Sequence, residues 1–106
     1  MNLETFVKET FEEKNGYCFR PKIVCNDGFT MSVQGSNGHY CHPRQTMNWY
    51  SEMEVGFPSE KEDLIIEYAE CADEPTETVY GYVPVHIIQE VIDKHGGINI
   101  TKTLNK

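Results

Sequence analysis

The stretch His39-Tyr40-Cys41-His42-Pro43-Arg44 sets two imidazoles, a thiol, a phenol and a guanidinium side by side. Three chemistries use such groups. Histidine and cysteine ligate zinc; a thiol beside an imidazolium ionises more readily and becomes a nucleophile; tyrosine and arginine dominate protein-binding hot spots. Spacing argues against the first two. Structural zinc sites usually present cysteines about two to four residues apart, whereas Cys18 and Cys25 are farther apart and would face opposite sides of one strand. His39 and Cys41 would need further ligands from elsewhere. In cysteine enzymes the fold brings in the base, and no signature of such a family surrounds Cys41. No metal, cofactor or catalytic residue is assigned, and the loop carrying Tyr40, Arg44, Trp49 and Tyr50 reads as a recognition surface. A metal- or thiol-dependent enzyme centred on Cys41 remains the alternative.

The carboxylates make a second group. Glu52 and Glu54 are two apart, as on one face of a strand, but nothing around them suggests a cleft that would raise a pKa for acid–base work. They open a longer anionic segment. From Glu52 to Glu77 there are ten acidic residues against Lys61 alone, so about a quarter of the chain carries the whole net charge of -8. Such a field repels nucleic acid and speeds association with a basic surface. Glu52, Glu54, Glu60, Glu62, Asp63, Glu67 and Glu70 are therefore the expected contacting charges. No glycine-rich phosphate loop follows a strand, and His86 and His95 read as structural, His95 complementing the end of a helix.

The elements that must hold these groups follow from period and punctuation. Leu3, Phe6, Val7 and Phe11 recur at helical spacing behind Asn2, a suitable N-cap, and Asn15-Gly16 stops the helix. Residues 17–25 and 29–34 then alternate around Asn26-Asp27-Gly28, predicting a β-hairpin. Residues 49–57 predict a third strand, whose Glu52 and Glu54 could pair across the sheet with Arg20 and Lys22. Ser59 and Glu62 have the spacing of a capping box, predicting a short helix with Leu64, Ile65 and Tyr68 buried. Thr78 to Val83 suit a fourth strand. Pro84 opens a helix bearing Val85, Ile88, Val91, Ile92 and His95 that Gly96-Gly97 ends.

The sum is a single α+β domain over residues 1–98. An antiparallel sheet of about four strands carries the N- and C-terminal helices on one face, and a tail over 99–106 has little to bury. At 106 residues and 39% hydrophobic, the chain suits one domain. Neither a signal-peptide pattern nor an apolar run near the ~18 residues of a membrane span is present, so the cysteines are expected as free thiols in a cytoplasmic protein.

Three blocks, DGFTMSVQGSNGHYCHPR, MEVGFPSE and ETVYGYVPVHIIQEVIDKHGGI, together resemble small bacteriophage and prophage accessory proteins over roughly residues 15–98. The resemblance carries no assigned chemistry. It implies a viral gene product in the host bacterial cytoplasm, of the anti-CRISPR, anti-defence kind. The implied partner is a host protein with a basic surface, such as a CRISPR effector, with neither nucleic acid nor membrane bound directly. A self-associating structural phage protein, pairing through the edge of the fourth strand, is the other alternative.

Overall fold

Asn2 caps the first helix, α1 (Leu3–Glu9), its side-chain oxygen accepting from Thr5 N at 2.8 Å. Leu3, Phe6 and Val7 are buried. The computed structural model describes residues 1–104. The helix stops well short of Asn15, because Thr10 turns its hydroxyl back onto Phe6 O at 2.7 Å and Phe11 leaves the apolar stripe for the surface. Strands β1 (Glu12–Lys14) and β2 (Tyr17–Phe19) follow as a small hairpin around Asn15-Gly16. Both turn residues have positive φ, 52° and 83°, which asparagine and glycine tolerate best. The dipeptide expected to end a helix is a hairpin turn instead.

The expected strand over 17–25 is interrupted at Arg20-Pro21. Proline offers no N–H to a ladder, and the buried Arg20 turns inward. Only Ile23–Val24 (β3) pairs onward, with Thr30–Gln34 (β4), across the anticipated Asn26-Asp27-Gly28 turn. Adding Glu52–Gly56 (β5) and Val79–Pro84 (β6) gives a four-stranded antiparallel sheet in the order β3-β4-β5-β6. A bulge opposite Glu54 shifts the β5–β6 register and leaves Tyr82 at φ 54°.

One sheet face presents Met31, Val33, Met53, Val55 and Val83, all fully buried. Helices α1 and α2 (Val85–Lys94) cover it, the latter through Ile88, Val91 and Ile92. This is the α+β architecture the periodicity predicts, with the terminal helices over one face. The tail does find something to bury: Ile100–Leu104 form a short helix, α3. Its buried Thr103 hydroxyl accepts from Val24 N at 3.0 Å, and Cys25 bridges to Ile98, so this segment covers the β3 edge. Residues 105 and 106 of the expected tail lie outside the described residues.

The capping box at Ser59 does not form. Ser59 Oγ accepts instead from Thr30 N at 2.9 Å, splicing this stretch onto β4, and only a 3-10 turn at Ile66–Tyr68 is helical. Beyond that turn, Ala69 bridges to Tyr80 and Glu70 N donates to Val79 O at 3.0 Å. The first half of the β6 edge, expected to be open, is therefore covered by the chain's own acidic segment.

Candidate functional site

Strand β4 delivers the chain into a loop, residues 35–51, that folds back beside β5 and β6. His42 N donates to Glu52 O at 3.0 Å and Ser51 N to His42 O at 2.9 Å, which fixes the middle of the loop. Tyr40 N reaches the Glu54 carboxylate at 2.9 Å, and Tyr82 N donates to Tyr40 O at 3.0 Å. The Tyr40 ring rests near that of Tyr82 (6.0 Å between centroids), with the Arg44 guanidinium 5.3 Å above it. Gly81 permits this approach, since a Cβ there would stand 3.3 Å from Tyr40 Cβ. Tyr40, Arg44 and Tyr82 thus form an exposed guanidinium–aromatic cluster. Tyr82 joins it only because of the bulge, which strand alternation does not reveal.

The Cys41 thiol and the His39 imidazole are structural, while His42 is held through its backbone and is exposed. Cys41 is 1% exposed, its thiol donating to Ser36 O (3.2 Å) and facing Pro43 O (3.4 Å), and burial raises its pKa. It is a protonated packing atom. His39 Nδ1 meets the Ser36 hydroxyl at 2.6 Å, and burial lowers its pKa, so it is a neutral imidazole and cannot draw a thiol into its thiolate form. Among the described residues no three His, Cys, Asp or Glu side chains converge as a metal site requires.

Arg20 does not pair with Glu52 or Glu54. Its guanidinium, 3% exposed as a residue, donates to the carbonyls of Val7 (3.0 Å), Gly35 (3.1 Å) and Met47 (3.2 Å), between the rings of Phe11 and Tyr50. Tyr50 is buried too. Its hydroxyl donates to Gln45 O and accepts from Met47 N, and its ring fills the space a Cβ on Gly35 would need. Tyr50 is therefore a pillar of the loop and not a contact residue, while the neighbouring Trp49 stays 55% exposed.

The acidic residues divide into two sets. Glu62, expected at the surface, is 1% exposed and accepts from Leu64 N, Lys94 Nζ and His95 Nε2 at 3.0, 3.0 and 2.8 Å. His95 Nδ1 meets Asp27 at 2.6 Å, and Phe29 stacks on the imidazole at 4.0 Å. Ionised carboxylates only accept, so a ring giving both nitrogens to carboxylates donates from both and is an imidazolium. Burial opposes that charge, but the hydrogen bonds His95 gives to Asp27 and Glu62 outweigh it and raise the His95 pKa. Burial likewise opposes the Glu62 carboxylate, yet its three donors outweigh burial and lower its pKa. This array locks together the 26–28 turn, the 59–65 loop and the end of α2.

The second set is at the surface. Glu60 and Asp63 are exposed, Asp63 lying 3.9 Å from Lys61, and Glu52 and Glu54 are half-buried. Glu67, Glu70, Asp73, Glu74 and Glu77 are all exposed within residues 67–77. Their backbone is pinned to β6 by the Ala69 bridge, by Cys71 N on Thr78 Oγ1 and by the Tyr80 hydroxyl on Pro75 O. Asp73, Glu74 and Glu77, counted in the acidic segment but not among the expected contacting charges, lie in the turn that links the Ala69–Cys71 contact to β6 and so stay near Glu67 and Glu70. No family model, no curated protein and no solved structure matches the chain.

Proposed function

We propose that the chain is a non-enzymatic inhibitor that binds a basic, nucleic-acid-binding surface of a host protein. The observation that carries this reading is the group of five exposed carboxylates between 67 and 77, on a segment that is joined to β6 at Ala69 and Glu70 and then turns back into that strand. Glu60 and Asp63 flank the group in sequence, and the Tyr40–Arg44–Tyr82 cluster supplies a second anchor of hot-spot chemistry. Carboxylates on a firm scaffold can compete with phosphates for a groove lined by lysine and arginine. The resemblance to small phage and prophage accessory proteins, which implies a setting of host defence, points the proposed partner toward an effector of the CRISPR kind. A thiol enzyme at Cys41 draws no support from a buried, protonated sulfur.

The test is a pull-down from bacterial lysate at low and high salt, using the wild type and a variant with Glu67→Gln, Glu70→Gln, Asp73→Asn, Glu74→Gln and Glu77→Gln. Basic nucleic-acid-binding proteins should be retained by the wild type at low salt only, and should not be retained by the variant. Retention indifferent to salt and to the five substitutions would remove the basis of the proposal.

A further inference from the structure

The N-terminal turns of α1 and α2, the chain at 48–50 and Met53 line a cleft of about 340 Å³ that includes none of the carboxylates of residues 67–77. Its size lies at the lower end of small-molecule sites. Leu3, Val7, Met53 and Val85 give apolar walls, and the chain's single tryptophan, Trp49, stands at the cleft half exposed.

The polar groups nearby are mostly committed to the fold. Leu3 N donates to Gln89 Oε1 at 2.8 Å, and Gln89 Nε2 donates to Asp93 at 2.9 Å. Val85 N donates to Ser51 O, and the Tyr50 hydroxyl has both a donor and an acceptor. The backbone donors Leu3 N and Val85 N are thus unavailable to an anion. Glu4 is the single acidic residue of the lining, exposed on the first turn of α1, and no hydrogen bond or ion pair among the described residues occupies its carboxylate. His86, across the mouth on α2, contributes no negative charge.

We infer that this cleft binds a small organic cation, an ammonium or guanidinium group on a short apolar or aromatic body. Leu3, Val7, Met53 and Val85 bury the body, the Trp49 ring attracts the cation through its negative face, and Glu4 pairs with the charge. The chain's net charge of -8 raises the local concentration of cations further. The site uses none of the carboxylates of residues 67–77, so it can stand or fall separately from the proposed inhibition.

Trp49 reports on the site directly, because all tryptophan emission comes from it. Titrating the protein with 2-phenylethylamine, 2-phenylethanol and phenylacetate compares a cation, a neutral molecule and an anion on the same ring. The amine should shift Trp49 emission saturably and bind on the order of tenfold more tightly than the alcohol, with the carboxylate weakest. Glu4→Gln should cut the preference for the amine over the alcohol several-fold, the Trp49 contribution remaining, with the circular dichroism spectrum unchanged. Equal binding of all three, tighter binding of phenylacetate, or no emission change with the amine would overturn the inference.

Discussion

At Cys41 burial separates a packing atom from a nucleophile. The flanking histidines invite a catalytic reading, but one imidazole is neutral and the sulfur is enclosed. Cys25 is enclosed as well, with burial, and secondarily Asp27, pushing its thiol up to about 11, whereas Cys71 is exposed. Iodoacetamide labelling read by mass spectrometry should therefore modify Cys71 rapidly in the folded protein, and Cys25 and Cys41 only on unfolding. Rapid labelling of Cys41 in the native state would revive the thiol chemistry. Arg20 is the residue whose role spacing hides most completely: its position in an alternating strand suggests a surface ion pair, yet it closes three carbonyls inside the loop layer. Removing it leaves those acceptors without their donor. Arg20→Met should cost about 3 kcal/mol or more of stability in urea unfolding, while Lys22→Met, on the exposed neighbour, should change it by less than about 0.5 kcal/mol.

Elements were legible wherever a local signal and the tertiary context agree. The Asp27-Gly28 turn, β4, β5, β6 and α2 with its Gly96-Gly97 end follow directly from alternation, helical period and glycine. The departures have specific causes. Asn15-Gly16 serves equally as a helix stop and as a hairpin turn, and Glu12 pairs with Phe19 and Lys14 with Tyr17 only once the chain has reversed. Ser59 and Glu62 have capping-box spacing, but each finds a stronger distant partner, Thr30 N for one and the Lys94–His95 pair for the other. The site was legible as composition, acidic segment and aromatic loop; burial of Glu62 and Tyr50, and the turn of Tyr82 toward Tyr40, depend on contacts between remote segments. Gly35 tests one such contact. A Cβ there would lie 2.7 Å from the Tyr50 ring, so Gly35→Ala should lower the thermal midpoint by several degrees and mobilise the Trp49 segment, seen as altered tryptophan emission.

Across the whole molecule, charge is used in two ways. Inside, the Asp27–His95–Glu62–Lys94 array ties three segments together and makes stability depend on pH. The folded pKa of His95 is raised above its ordinary 6.5, so its contribution is full below that value and is lost as pH climbs through the raised folded pKa. Backbone N–H of Phe29 and the His95 ring lower the Asp27 pKa from 3.8, and that of Glu62 is lowered from 4.5. Their contributions are full above those values and are lost as pH falls through the lowered folded pKa. The thermal midpoint should therefore be highest between about pH 5 and 6.5 and decline on both sides, and His95→Gln should flatten the alkaline decline. An unchanged alkaline limb in that variant would show that His95 is not the imidazolium of the array. Outside, the exposed carboxylates of 67–77 set the long-range field that a basic partner would meet.

Competition with nucleic acid tests that outer charge most directly. Fluorescence anisotropy of a labelled nucleic acid bound to a captured basic host protein should fall as the wild-type chain is added at low salt. The variant neutralised at Glu67, Glu70, Asp73, Glu74 and Glu77 should leave the anisotropy where it was. Equal displacement by both proteins, or a nucleic acid that stays bound while the chain joins the complex, would contradict a carboxylate edge acting in place of phosphates.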